Sequence, residues 1–211
     1  MYSQFSNRLV SLAVLACASG MGSVFAQAAV ITNGDFETGD LTGDLTGWTL
    51  TNASAFDAVC ASGSVIGSST CIANSGTYSM AFGQFEGLTT LSQTIATTSG
   101  STYTISFYLA NDNPGGSVES FAMQWNGSTV FSLPDPQASF PYSQRVILNL
   151  TATSSSTLLA FDARHDPAQW FLDSIAIADS AVPEPASLLL TGVGLAAILQ
   201  ASRRLRRRQL S

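Results

Sequence analysis

Apolar and polar residues alternate with a period of two through most of this 211-residue chain. The pattern is cleanest over residues 102–109. There Tyr103, Ile105, Phe107 and Leu109 share one face and the other carries mostly hydroxyls, as in a strand buried on one side. Further strands are predicted over residues 78–83, 88–96, 119–125, 129–133, 145–150, 157–163 and 169–178. Within them Phe121, Met123 and Trp125 align, as do Val146, Leu148 and Leu150, and as do Phe171, Asp173, Ile175 and Ile177. Asn126-Gly127 between two runs is a hairpin-turn signal. Residues 111–116 and Pro134-Asp135-Pro136 read as turn-rich loops, and Arg164-His165-Asp166-Pro167 as a solvated one. About nine or ten short strands without a helical period between them predict an all-β, two-sheet sandwich, a jelly roll.

Both ends depart from this pattern. Residues 1–28 read as a secretory signal peptide. Arg8 supplies the charge, an apolar run from Leu9 to Ala16 follows, and Phe25-Ala26-Gln27-Ala28 offers small residues for cleavage after Ala26 or Ala28. Val14-Leu15-Ala16-Cys17 fits a bacterial lipoprotein box poorly, because leucine precedes the final small residue. The predicted body spans residues 29–179. Residues 180–211 then hold Val182-Pro183-Glu184-Pro185, an apolar run from Ala186 to Ala201, and a basic end with Arg203, Arg204, Arg206, Arg207 and Arg208. The two prolines prevent helix or strand and hold an extended segment. As a helix the apolar run would be about 24 Å long, slightly short of an ordinary membrane span. The closing arginines would stay cytoplasmic, leaving the β body outside. A plain C-terminal anchor has the same features. An amphipathic surface helix does not, since the run lacks a charged face.

Charged residues make up 10 % of the chain, and lysine is absent. Between Ala29 and Val182 stand two arginines, Arg145 and Arg164, against thirteen carboxylates, a net of −11. Such a body repels nucleic acid and anionic membrane surfaces. It keeps an exported protein soluble and offers oxygen ligands to divalent cations. With Cys17 in the leader, Cys60 and Cys71 remain, and in an exported chain they predict a short-loop disulfide. Gly-Asp-Leu-Thr occurs twice in tandem over residues 39–46, a duplication of the kind loops tolerate.

The tail resembles the PEP-CTERM sorting signal of Gram-negative bacteria: Val182-Pro183-Glu184-Pro185, a short apolar helix, then an arginine cluster. The resemblance implies recognition near Pro183-Glu184-Pro185 by an exosortase, a membrane cysteine transpeptidase. It also implies an inner-membrane intermediate, removal of the tail, and release or attachment outside a cell that makes exopolysaccharide.

The body resembles galactose-binding-like jelly rolls, the fold of many carbohydrate-binding modules. Asn33-Gly34-Asp35-Phe36-Glu37 with Gly47-Trp48 is similar to their opening, and the run from Trp170 to Ile177 to their closing strand, with Ser174 where a second acid is usual. The resemblance implies a structural Ca²⁺ between first and last strands, held by Glu37 and Asp173 with Asp35 through its carbonyl. Physically, an inward Asp173 must be hydrogen-bonded or metal-bound. Trp170, opposite in phase to Phe171, is the candidate for stacking on a sugar ring. Trp125 reads as core and Trp48 as a plug for the opening loop.

These readings converge on an exported, non-catalytic cell-surface or extracellular-matrix protein associated with exopolysaccharide. A carbohydrate-binding module with a specific glycan site is the alternative. No Gly-x-Ser-x-Gly elbow, phosphate loop or His-rich metal motif is present. Glycoside hydrolysis needs two carboxylates at a set separation, and thirteen acids bring some pair close by chance, so no enzyme is expected.

Overall fold

The computed structural model describes residues 28–38, 44–112, 118–133, 135 and 138–180. The predicted leader, the tail and part of the Gly-Asp-Leu-Thr duplication lie outside the described residues. The strands are β1 (Thr49–Thr51), β2 (Ala58–Ala61), β3 (Val65–Ile66), β4 (Ser69–Thr70), β5 (Tyr78–Phe82) and β6 (Thr89–Ala96). They continue as β7 (Thr102–Asp112), β8 (Val118–Trp125), β9 (Ser128–Leu133), β10 (Phe140–Thr151), β11 (Ser156–Asp166) and β12 (Gln169–Asp179). One five-stranded sheet has the order β1-β6-β11-β8-β9 and the other β10-β7-β12-β5-β2, with β3-β4 as a separate ribbon. Every pairing is antiparallel, and no helix occurs among the described residues. The fold is an all-β, two-sheet sandwich of the jelly-roll kind.

Alternation places the core between the sheets. Tyr103, Ile105, Phe107 and Leu109 on β7 are buried, as are Phe121, Met123 and Trp125 on β8. Phe107 meets Phe161 edge-on at 5.3 Å, and Phe121 lies 6.0 Å from both. Trp125 donates its indole N–H to Thr151 O (2.9 Å), and Trp48 donates to Asn33 O (2.9 Å) while packing on Phe36, so each buried indole has its partner. The Asn126-Gly127 turn has positive φ at both residues (51° and 79°), as a two-residue primed hairpin requires.

Two bulges overturn the predicted faces of two strands. In β12 the register slips between Asp173 and Ala176, and Ser174 has φ 52°. Trp170 and Leu172 therefore face the main core together with Ile175. Phe171 and Asp173 point to the outer side of the sheet, not inward with Ile175 as alternation alone predicts. In β10 the slip falls between Ile147 and Leu150, with Asn149 at φ 60°. Leu150 is buried, whereas Val146 and Leu148 stand 50 % and 62 % exposed. An extra residue in one strand reverses the side on which every later side chain emerges.

The outward Phe171 seeds a second, smaller core with Cys60, Cys71, Ala81 and Ala110. The segment from β2 to β4 folds over it, closed by the predicted Cys60–Cys71 disulfide.

Candidate functional site

Two groups of polar residues sit close to β12. The first joins the opening turn to the closing strand. Gly34 O accepts a hydrogen bond from Ile175 N (2.8 Å), and a Cβ on Gly34 would stand 2.1 Å from Ile175 O; only glycine lets the backbones approach so closely. Glu37 accepts from the amides of Thr77 and Tyr78, both at 2.7 Å. Asp173, fully buried, accepts from the amides of Asn74 (2.7 Å), Ser75 (3.0 Å) and Ser174. Burial pushes its pKa up, and those same amides oppose the rise.

Glu37 and Asp173 thus grip one loop, residues 74–78, from two sides. Asp35 stays exposed and takes only the Glu37 amide (3.4 Å). Calcium takes six to eight oxygens, with carboxylates turned toward it. Here the carboxylates are turned toward N–H donors. Among the described residues no three His, Cys, Asp or Glu side chains stand where they could share a metal ion. Glu37 and Asp173, the two carboxylates expected to hold calcium with the Asp35 carbonyl, are instead engaged by backbone amides in this structure.

The second group forms a cleft of about 460 Å³ at the end of the sandwich where β11 turns into β12. Phe56 on the β1–β2 loop and Phe85 on the β5–β6 loop flank it, 38 % and 41 % exposed, with ring centres 6.2 Å apart. Their loops are tied down from beneath. Buried Asp57 accepts from Ser54 N, Thr89 Oγ1 and Gly83 N. Gln84 donates to Asn52 O (2.6 Å) and accepts from Phe85 N. Arg164 donates to Phe85 O (2.9 Å). The two phenyl rings are thereby presented on fixed backbone rather than on free loops.

Gln169 and His165 lie at the floor of this cleft, both buried. His165 belongs to strand β11, not to a solvated loop: β11 and β12 continue almost to the turn at Pro167, and the polar Arg164–Asp166 stretch is strand. Its Nε2 is 2.7 Å from Asn111 Oδ1 and 3.1 Å from Glu119 Oε2. Asn111 donates its own Nδ2–H to Glu119 (2.8 Å), so its Oδ1 is an acceptor and the proton on His165 is assigned to Nε2. Nδ1 is then a lone pair, buried with no partner among the described residues. Burial lowers the His165 pKa, opposed by Glu119 and by Asp112, Asp166 and Asp135.

Trp170 is not the exposed stacking residue predicted from its phase. It is fully buried, donates to Arg164 O (2.9 Å) and packs on Phe121, Phe140 and His165. Phe56 and Phe85 hold the exposed position instead. Their signal in the sequence was a single aromatic in each short loop, Phe56 between Ala55 and Asp57 and Phe85 between Gln84 and Glu86. Ser68 at the cleft rim donates to Pro167 O (2.9 Å). Rings at the mouth and polar groups at the floor suit binding of a small polar molecule.

The two-sheet sandwich resembles the jelly rolls of solved carbohydrate-binding modules. The module TmCBM61, solved with β-1,4-galactotriose, superposes with TM-score 0.50 at 16 % identity, covering 71 % of this chain and 97 % of that one. The K3 cleaved adhesin domain of Lys-gingipain from Porphyromonas gingivalis does so with TM-score 0.50 at 14 % identity, covering 72 % and 98 %. No curated protein matches the sequence. Residues 181–208 match the PEP-CTERM protein-sorting motif, which marks an exported protein sorted through the membrane. The sorting residues Val182, Pro183, Glu184 and Pro185 and the five closing arginines fall in this span, outside the described residues.

Proposed function

We propose that this is a non-catalytic carbohydrate-binding protein of the cell surface or extracellular matrix, associated with exopolysaccharide. Its sugar lies in the cleft against the paired rings of Phe56 and Phe85, and an exosortase of a Gram-negative host processes its tail. The observation that carries the reading is the pair of part-exposed phenyl rings fixed at the mouth of a polar-floored cleft. Saccharides bind by laying C–H faces on aromatic rings while side chains meet their hydroxyls. A jelly roll solved with a galactotriose supports the reading by fold, and the sorting motif supports it by place. The Ser68 hydroxyl at the rim is spent on a backbone carbonyl.

The test is affinity electrophoresis of the exported protein through gels containing the host's own exopolysaccharide. Retardation is expected, and Phe56→Ala or Phe85→Ala should each weaken it about fivefold, the loss of roughly 1 kcal/mol of apolar contact. Unretarded migration, or retardation unchanged in both variants, sinks the cleft. Mass spectrometry of the same protein checks the tail: an intact Pro183-Glu184-Pro185 and arginine end in the exported pool would rule out processing.

A further inference from the structure

The backbone amides and the rim hydroxyl along the cleft walls are already used. Gly83 N donates to Asp57 (2.9 Å), Phe85 N to Gln84 Oε1 (2.9 Å) and His165 N to Gln84 O (3.0 Å). The Ser68 hydroxyl donates to Pro167 O, and Pro167 has no N–H. Side-chain groups are left over, the Gln169 Nε2 donor and several acceptors. Asp166 brings a carboxylate to the rim. Gln169, 1 % exposed, has an Oε1 with no partner among the described residues, and so has Nδ1 of His165. The Gln169 carboxamide lies where a Cβ on Gly83 would stand 2.4 Å away and one on Gly67 3.2 Å away. It is therefore bounded by bare backbone on two sides and can turn toward the cleft with little to displace. Each unpartnered buried acceptor is a standing cost that an incoming donor relieves.

Charge points the same way. Neither of the body's two arginines lines the cleft. Arg164 is turned to Phe85 O, and Arg145 lies over the Phe140 ring at 5.2 Å. The body carries a net −11, which repels an anionic sugar acid and attracts a cation. Phenyl faces add their own attraction for an ammonium group.

We infer that the saccharide held against the Phe56–Phe85 pair bears free, protonated amino groups: a hexosamine unit whose nitrogen is not acetylated. This rests on the carbohydrate reading of the cleft and specifies it. The ammonium brings three donors to Asp166, Ser68 and the Gln169 floor, while the sugar ring lies on the phenyl faces.

The test is calorimetric titration of the exported protein at pH 6 with three tetrasaccharides: β-1,4-linked glucosamine, its fully N-acetylated form, and a neutral β-1,4-galactan. The glucosamine tetramer should bind about tenfold tighter than either of the others, a charged contact plus cation–π attraction. Asp166→Asn should remove most of that preference, and Phe56→Ala should weaken all three. If the acetylated or neutral tetramer binds as tightly as the amine and Phe56→Ala abolishes it, the amine inference falls and the carbohydrate cleft stands. If the amine binds but neither Asp166→Asn nor Phe56→Ala changes its affinity, binding is diffuse attraction to an acidic surface, and the inference falls with it. If no tetramer binds, both readings fall.

Discussion

Replacing Asp173 by alanine tests the clearest departure from a calcium-built jelly roll. The carboxylate is fully buried and its partners are the amides of Asn74, Ser75 and Ser174. Alanine leaves all three without that acceptor. A buried orphan amide costs about 1–3 kcal/mol. Ser75 is exposed and Asn74 and Ser174 are half-buried, so water reaches them and the low end applies, about 3 kcal/mol in all. Part is returned, because removing a carboxylate whose pKa burial has raised also removes its desolvation cost. The expected net loss is about 2 kcal/mol, read as a lower urea midpoint by tryptophan fluorescence of the exported protein. Hydrogen exchange at residues 74 and 75 should speed up in the variant. Both changes should be the same in EDTA and in millimolar calcium. A loss below about 0.5 kcal/mol, the range of neutral surface changes, would refute the clamp. A loss seen only when calcium is present would show that Asp173 acts through a metal after all.

Two further outcomes follow from the same geometry. Gly34→Ala should cost about 2–4 kcal/mol in the same urea assay, from overpacking against Ile175 O and loss of the Ile175–Gly34 hydrogen bond; an unchanged midpoint would mean the two backbones do not meet as described. His165, with its pKa lowered by burial from 6.5, takes up its proton more readily in the unfolded chain. Its contribution is present above about pH 6.5 and lost as pH falls through the depressed folded value. Wild-type stability should fall between pH 6.5 and 5, and His165→Gln should flatten that slope; equal slopes would contradict a neutral buried imidazole.

Fold class was legible because alternation is strong wherever a strand has one buried face, as in β7 and β8. The first four strands were not. β3 and β4 hold two residues each and β1 three, too few for a period to register. Face assignment failed at β10 and β12 for one reason: Asn149 and Ser174 start bulges. Serine carries no signal for positive φ, and asparagine only a weak one. The reversed phase then misplaced Trp170 and Asp173 together, since Phe171 was set on the inward face with Ile175, Asp173 with it and Trp170 opposite. His165 was misjudged because Asp166-Pro167 punctuates a turn, yet the strand runs up to that turn and buries the histidine. The cleft itself was illegible. Its rings come from residues 56 and 85, its floor from 165 and 169, and nothing local links them until the β1–β2 and β5–β6 loops are tied through Asp57, Gln84 and Arg164.

Strand β12 also sets how the cleft relates to the tail. Gln169, at the cleft, opens the strand, and Asp179 closes it ten residues later, about 33 Å away at strand rise. Ser180 N still donates to Thr102 O (2.8 Å) at that far end, and the sorting motif begins at residue 181. The chain therefore leaves the sandwich at the end opposite the cleft, with one strand as the spacer. A domain tethered through its C-terminal side would hold the proposed binding cleft the full length of the sandwich from the tether. No long flexible linker is needed to free the cleft from the membrane. This accounts for a feature that composition alone leaves odd, a sorting motif set directly against the last hydrogen bond of the fold.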